Sequence, residues 1–248
     1  MNIERRMSPN FNQGRRGHVP DMIVCHITEG NFAGAVNWLA NPSSGVSAHF
    51  VVARDGRITQ MVEIADMAWA NGTASATSSN LWNGHATIPI VRTRNINANL
   101  YTISIEHEGR YVETKGALEP AQLDATVWLI GHIRSEVRRL FGVDLPITRQ
   151  SIVGHHEITP RSRPNCPGAQ FPFNEIIARL NAPPVTTPPP TVNPQPTPDT
   201  QQGVSNFARE AWEWGITNGL TDGTNPRNAT TREQLLTILH RYHNLPRK

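Results

Sequence analysis

From Pro183 to Gln202 the chain reads PPVTTPPPTVNPQPTPDTQQ, eight prolines with no apolar side chain beyond proline and valine. Proline fixes φ, removes an amide donor and favours extended polyproline backbone, so this stretch cannot build a core. Whatever folds must fold on one side of it or the other. The chain therefore divides into a domain over 1–181, a Pro/Thr-rich linker over 182–202 and a small module over 203–248. At about 3.1 Å per residue, the linker can hold its neighbours on the order of 60 Å apart.

Upstream of the linker, strand and helix patterns alternate. Met22 to Thr28 (MIVCHIT) is a short apolar run, as expected of a buried strand. Ala48 to Arg54 and Arg57 to Val62 flank Asp55-Gly56, a hairpin signal. Tyr101 to Glu108 (YTISIEHE) alternates with the period of a strand. Leu123, Val127, Ile130, Ile133, Val137 and Leu140 recur at helical spacing over Pro120 to Leu140, and Gly142 follows as a stop. Ser151 to Val153 predicts another strand, and Asn174 to Leu180 a final helix. The Gly-, Asn-, Ser- and Thr-rich span from Asn71 to Asn99 reads as a long loop bordering a groove. These elements predict an α/β domain with a mixed central sheet flanked by helices. The tail predicts helices near Asn206 to Trp214 and Arg232 to Tyr242, joined by a Gly-rich turn.

The 248 residues carry a formal charge of only +3. That is too diffuse for nucleic acid, though compatible with adhesion to anionic polymers. No apolar run is long enough to cross a bilayer. Arginines at 5, 6, 15 and 16 are followed by no hydrophobic stretch, so no secretory signal is read in this sequence. Two cysteines, Cys25 and Cys166, allow one disulfide at most.

Three places carry residues suited to zinc. His26 lies in a predicted buried strand, His155 and His156 follow Gly154, and Cys166 lies in the loop PRSRPNCPG. Two imidazoles and a thiolate would leave a tetrahedral zinc one position for water. On chemistry alone, a strand histidine serves as readily as a hydrogen-bonded core residue, and adjacent histidines arise by chance.

Several motifs nevertheless occur in one order: MIVCHITEG, SAHFVVARDGRITQMV, AWANG, TISIEHEG and VGHHEITPRSRPNCPG. With these, the chain from about Pro9 to Leu180 resembles the N-acetylmuramoyl-L-alanine amidase family, which is related to peptidoglycan recognition proteins. The resemblance implies that fold, a zinc held by His26, His155 and Cys166, and Glu106 as the base that activates water. Cys25 is then a small core residue on the opposite strand face. Glu108, two residues on, is left as a solvated or supporting carboxylate. Relatives often place a lysine where Pro164 stands, which leaves Arg163 as the cation for the oxyanion. Some carry tyrosine at Ala48 and histidine at Ala70. Trp69 and Asn71 are the remaining candidate groove residues for substrate contact, and His49 reads equally as a substrate contact or as structural support.

In the tail, Trp212, Gly215, Ile216, Gly219, Asp222, Gly223, Pro226 and Thr231-Arg232-Glu233 resemble an S-layer homology repeat, a wall-binding module. Such repeats usually come in threes, so a single shortened copy leaves two readings, wall contact or homo-oligomerisation, beside the plainer one of a helical hairpin packing on the catalytic domain or another subunit. The expected activity is zinc-dependent hydrolysis of the amide between N-acetylmuramic acid and L-alanine. The alternatives are a receptor that binds peptidoglycan without cutting, and a zinc peptidase acting on stem-peptide bonds. A modular tail without an export signal fits a phage endolysin, made in the host cytoplasm and acting at the wall. The other expectation is secretion by a non-classical route.

Overall fold

The computed structural model describes residues 1–73, 82–182, 204, 208–221, 235, 237–239 and 242. The linker reading and most of the second tail helix lie outside these residues. By contacts the chain divides into two units, Met1–Pro183 and Pro184–Lys248.

The first unit opens with short strands β1 (Ile3–Arg5) and β2 (Phe11–Asn12), then β3 (Met22–Ile27), α1 (Phe32–Leu39), β4 (Phe50–Val52), β5 (Ile58–Gln60) and β6 (Met67–Ala68). It continues through α2 (Pro89–Arg94), β7 (Thr102–His107), α3 (Tyr111–Thr114), the long α4 (Pro120–Phe141), β8 (Ile152–Gly154), α5 (His155–Ile158) and α6 (Phe173–Asn181). Six strands form a sheet in the order β1-β5-β4-β7-β3-β8, and β2 pairs with β6 apart from it. Only β4 and β5 run antiparallel in the large sheet, joined through Asp55-Gly56 as the hairpin signal required. Gly56 sits at φ +87°, a turn conformation that a side chain would strain.

The two sheet faces bury different residues. Ile23, Cys25, Ile103, Ile105 and Ile152 face Ala125, Leu129, Ile130 and Ile133 of α4, together with Ile176 of α6. Of the stripe expected on α4, Ile130, Ile133 and Val137 are buried in the core, Leu123 and Val127 pack at its margin and Leu140 is exposed, while Gly142 closes the helix in a left-handed conformation. On the other face, Met22, Val24 and Val153 pack with Val91, Leu100 and Tyr101, while α1 covers Val51 through Phe32, Val36 and Leu39. Between those two apolar clusters lie the polar ends of the central strands.

One sequence expectation for the fold is corrected. The Asn71–Asn99 span is not one loop, because Pro89 opens α2 and short 3-10 turns occupy Asn83–His85 and Ala98–Leu100. In the second unit, the helix expected at Asn206–Trp214 forms as α7 (Arg209–Thr217). Within that unit, the Trp214 ring lies 6.1 Å from that of Tyr242. No described helix is long and apolar enough to cross a membrane.

Candidate metal centre and active-site cleft

Parallel pairing of β3 with β7 sets His26 opposite Glu106, and pairing of β3 with β8 sets Cys25 opposite Gly154. His155 follows at the first residue of α5, so both histidines emerge at the carboxyl ends of adjacent parallel strands. Such ends are where open α/β sheets place ligands. The loop after α5 returns Cys166 to the same place, where the Ile27 amide donates to its Sγ at 3.4 Å. Ligand atoms of His26, His155 and Cys166 all lie within 4.8 Å of one another. The two imidazole rings meet edge-on with centroids 4.4 Å apart.

Burial sets the protonation of this cluster. It holds His26 well below the usual histidine value, with His155 adding to the effect. It pulls His155 down to about 3, and the Arg163 charge works in the same direction. Both rings are therefore neutral near pH 7, the form that ligates metal. Glu106 keeps 19 % of its side chain exposed, and its Oε1 lies 3.8 Å from His26 Nδ1. Burial raises its carboxyl to about 7, opposed by Arg163. Burial and the Glu106 charge also push the Cys166 thiol up. His26 Nε2 and Glu106 Oε2 are buried without a hydrogen-bond partner. A cluster of two neutral nitrogens and a sulfur with polar atoms unsatisfied is suited to a divalent, thiophilic cation, and the donor set is one zinc accepts.

These groups floor a cleft of about 430 Å³, a size that suits a small ligand or chain segment. One wall is α1, contributing Ala35, Trp38 and Leu39, and the other is the Ser162–Cys166 loop with Arg163. Trp69 and Ala70 also line it. Trp69 is steadied by its indole N–H, which donates to Asn12 Oδ1 at 2.7 Å. Trp38, 55 % exposed, was not singled out from the sequence. Its signal was legible: Asn31 accepts from the Gly34 amide as an N-cap, and Phe32, Val36 and Leu39 recur at helical spacing.

The structure does not bring His49 or Asn71 to the cleft; each is only 1 % exposed. His49 Nδ1 accepts from the Ser104 amide at 3.0 Å, and its Nε2 lies 3.2 Å from the Asp66 carbonyl. Asn71 donates through Nδ2 to Thr102 Oγ1 at 3.0 Å, while its amide donates to Asn99 Oδ1. His49 is spent on buried backbone, whereas the Asn71 side chain also reaches His26, where it partly offsets the effect of burial on that ring. Both cysteines are free thiols, and Cys25 faces the α4 core.

The family model for N-acetylmuramoyl-L-alanine amidase matches residues 16–169, well over half of the 248. The chain belongs to the N-acetylmuramoyl-L-alanine amidase family. Every residue of the cleft floor falls within the matched span. Amidase A of Achromobacter lyticus is 35 % identical over 108 residues, covering 43 % of this chain and 47 % of that protein. The chain thus matches less than half the length of that relative. Among solved structures, the endolysin N-acetylmuramoyl-L-alanine amidase LysCS of Clostridium intestinale is 21 % identical, with a TM-score of 0.47 over 73 % of this chain and 95 % of that one. A selenomethionine derivative of AmpD is 22 % identical, with a TM-score of 0.47 over 72 % of this chain and 93 % of that one.

Proposed function

We propose that this member of the amidase family hydrolyses the amide between N-acetylmuramic acid and L-alanine in peptidoglycan, with a zinc ion held by His26, His155 and Cys166. The observation that carries the reading is the convergence of those donors within 4.8 Å on the floor of an open cleft. Bound there, zinc would supply Lewis acidity that polarises the scissile carbonyl and acidifies water near neutral pH. Glu106 takes the proton of the attacking water and returns it to the departing alanine nitrogen. A carboxyl near 7 suits both transfers. The C–O bond forms first, placing negative charge on the carbonyl oxygen, and the C–N bond then breaks as the nitrogen is protonated, leaving a lactyl carboxylate on the sugar and a free amine on the peptide. Arg163 lines the same cleft and offers a fixed cation to the carbonyl oxygen as negative charge develops there. Trp38 and Trp69 give the cleft apolar sides.

The Cys166 thiol among the donors favours cutting over receptor-like binding. A thiolate completes a three-ligand set with a position left open, the pattern of catalytic zinc. The segment from 203 onward, resembling an S-layer homology repeat, would hold the enzyme on wall polymers, tethered by the Pro/Thr-rich stretch. Exhaustive chelation should abolish release of alanine amino termini from purified wall, and equimolar zinc should restore it. Activity that survives chelation would remove the metal from the account. Cys166→Ser should bind far less zinc than the parent.

A further inference from the structure

His156 stands next to the ligand candidate His155, and its side chain is committed to one contact. His156 Nδ1 lies 2.9 Å from the Cys166 carbonyl oxygen, and its backbone amide donates to the same oxygen at 2.8 Å. A carbonyl can only accept, so Nδ1 carries the proton. The ring reaches this position because residue 154 has no side chain: a Cβ there would stand 2.6 Å from the ring and 2.8 Å from Pro167 Cδ. Gly154, His156 and Pro167 therefore form one packed layer. That layer ties the strand–helix junction that presents His155 to the loop that presents Cys166. Loop closure on the far side is equally tight, since Gly168 lies against Lys115, where a Cβ would meet the carbonyl at 2.2 Å.

We propose that His156 is a positioning residue: its Nδ1–H fixes the Cys166 carbonyl and so sets where the thiolate stands relative to the two histidines. This rests on the zinc reading above, but its structural half does not need the metal. Outer partners that orient a ligand commonly govern metal affinity by 10- to 100-fold, acting through retention rather than stoichiometry. Asparagine can present an amide N–H close to the position of Nδ1, whereas alanine cannot.

The test compares parent, His156→Ala and His156→Asn in two measurements. The first is the rate of zinc transfer to a chromogenic chelator. The second is the rate of Cys166 alkylation by iodoacetamide in the metal-free protein, where buried Cys25 stays protected. His156→Ala should still load one zinc at saturation, release it about 10-fold faster, and alkylate several-fold faster than the parent. His156→Asn should return both rates toward parental values. Parental rates in the alanine variant would overturn the proposal, as would an asparagine variant that behaves like alanine, since packing alone would then explain the effect. If the parent binds no zinc, the metal reading fails, while the alkylation series still decides whether His156 holds the loop.

Discussion

Glu106 and Glu108 are separated by one residue of β7 and its end, and different neighbours hold them. Glu106 lies beside His26, whereas Glu108 Oε2 accepts from the Arg54 amide at 2.8 Å. Glu106→Gln keeps the side-chain shape and all three sulfur and nitrogen donors. It should retain zinc and lose roughly 100-fold or more in turnover on wall substrate, the scale of general acid–base catalysis. Glu108→Gln should stay close to the parent; a dead Glu108 variant with an active Glu106 variant would reverse the assignment. Titration gives a second prediction. Burial lowers His107 to about 4 and His49 well below the usual value, so the folded state holds both neutral while the unfolded chain protonates them near 6.5. The unfolded state therefore binds more protons, and stability present above pH 6.5 is lost as pH falls toward 4. Each histidine contributes about 1.4 kcal/mol per pH unit across its window. Urea midpoints of the metal-free protein should fall steadily from pH 7 to pH 4.5, and a flat profile would contradict it. The donors and Glu106 were legible because whole motifs carried them. The sequence left His49 and Asn71 undecided, because a polar residue in a motif does not reveal whether its partner is substrate or a buried protein group.

At the scale of elements, periodicity placed β3, the β4–β5 hairpin, β7, α4, β8 and α6 to within one or two residues. Those elements bury regular apolar faces, and their patterns follow from that burial. β1 was not legible, since Ile3–Arg5 is an edge strand with two exposed charged residues and no alternation of its own. α2 was hidden in a polar span, though Pro89 at its start was a usable signal. The order β1-β5-β4-β7-β3-β8 was out of reach, because strand pairing depends on contacts distant in sequence. The load carried by α4 yields the element-scale prediction. Leu129 is fully buried against the sheet, so Leu129→Ala should destabilise the protein by about 2–5 kcal/mol. Denaturant unfolding measures this directly, and a loss below ~1 kcal/mol would mean that α4 is not the main cover of that face.

For the whole molecule, the division proposed from composition sets residues 1–181 apart from the Pro/Thr-rich stretch that follows. A chain ending at Asn181 should therefore fold with a thermal midpoint near that of the parent. It should cut soluble muropeptides and bind wall less tightly. Aggregation of that shortened protein would show that the tail completes the catalytic domain. The tail was only partly legible, since so short a segment gives little periodicity. The account as a whole stands on which bond is broken. Purified peptidoglycan digested with the zinc-loaded protein should yield new N-terminal L-alanine and intact glycan strands bearing free lactyl carboxylates, identified by mass spectrometry of the products. New amino termini on other stem residues, with N-acetylmuramic acid still joined to alanine, would contradict it.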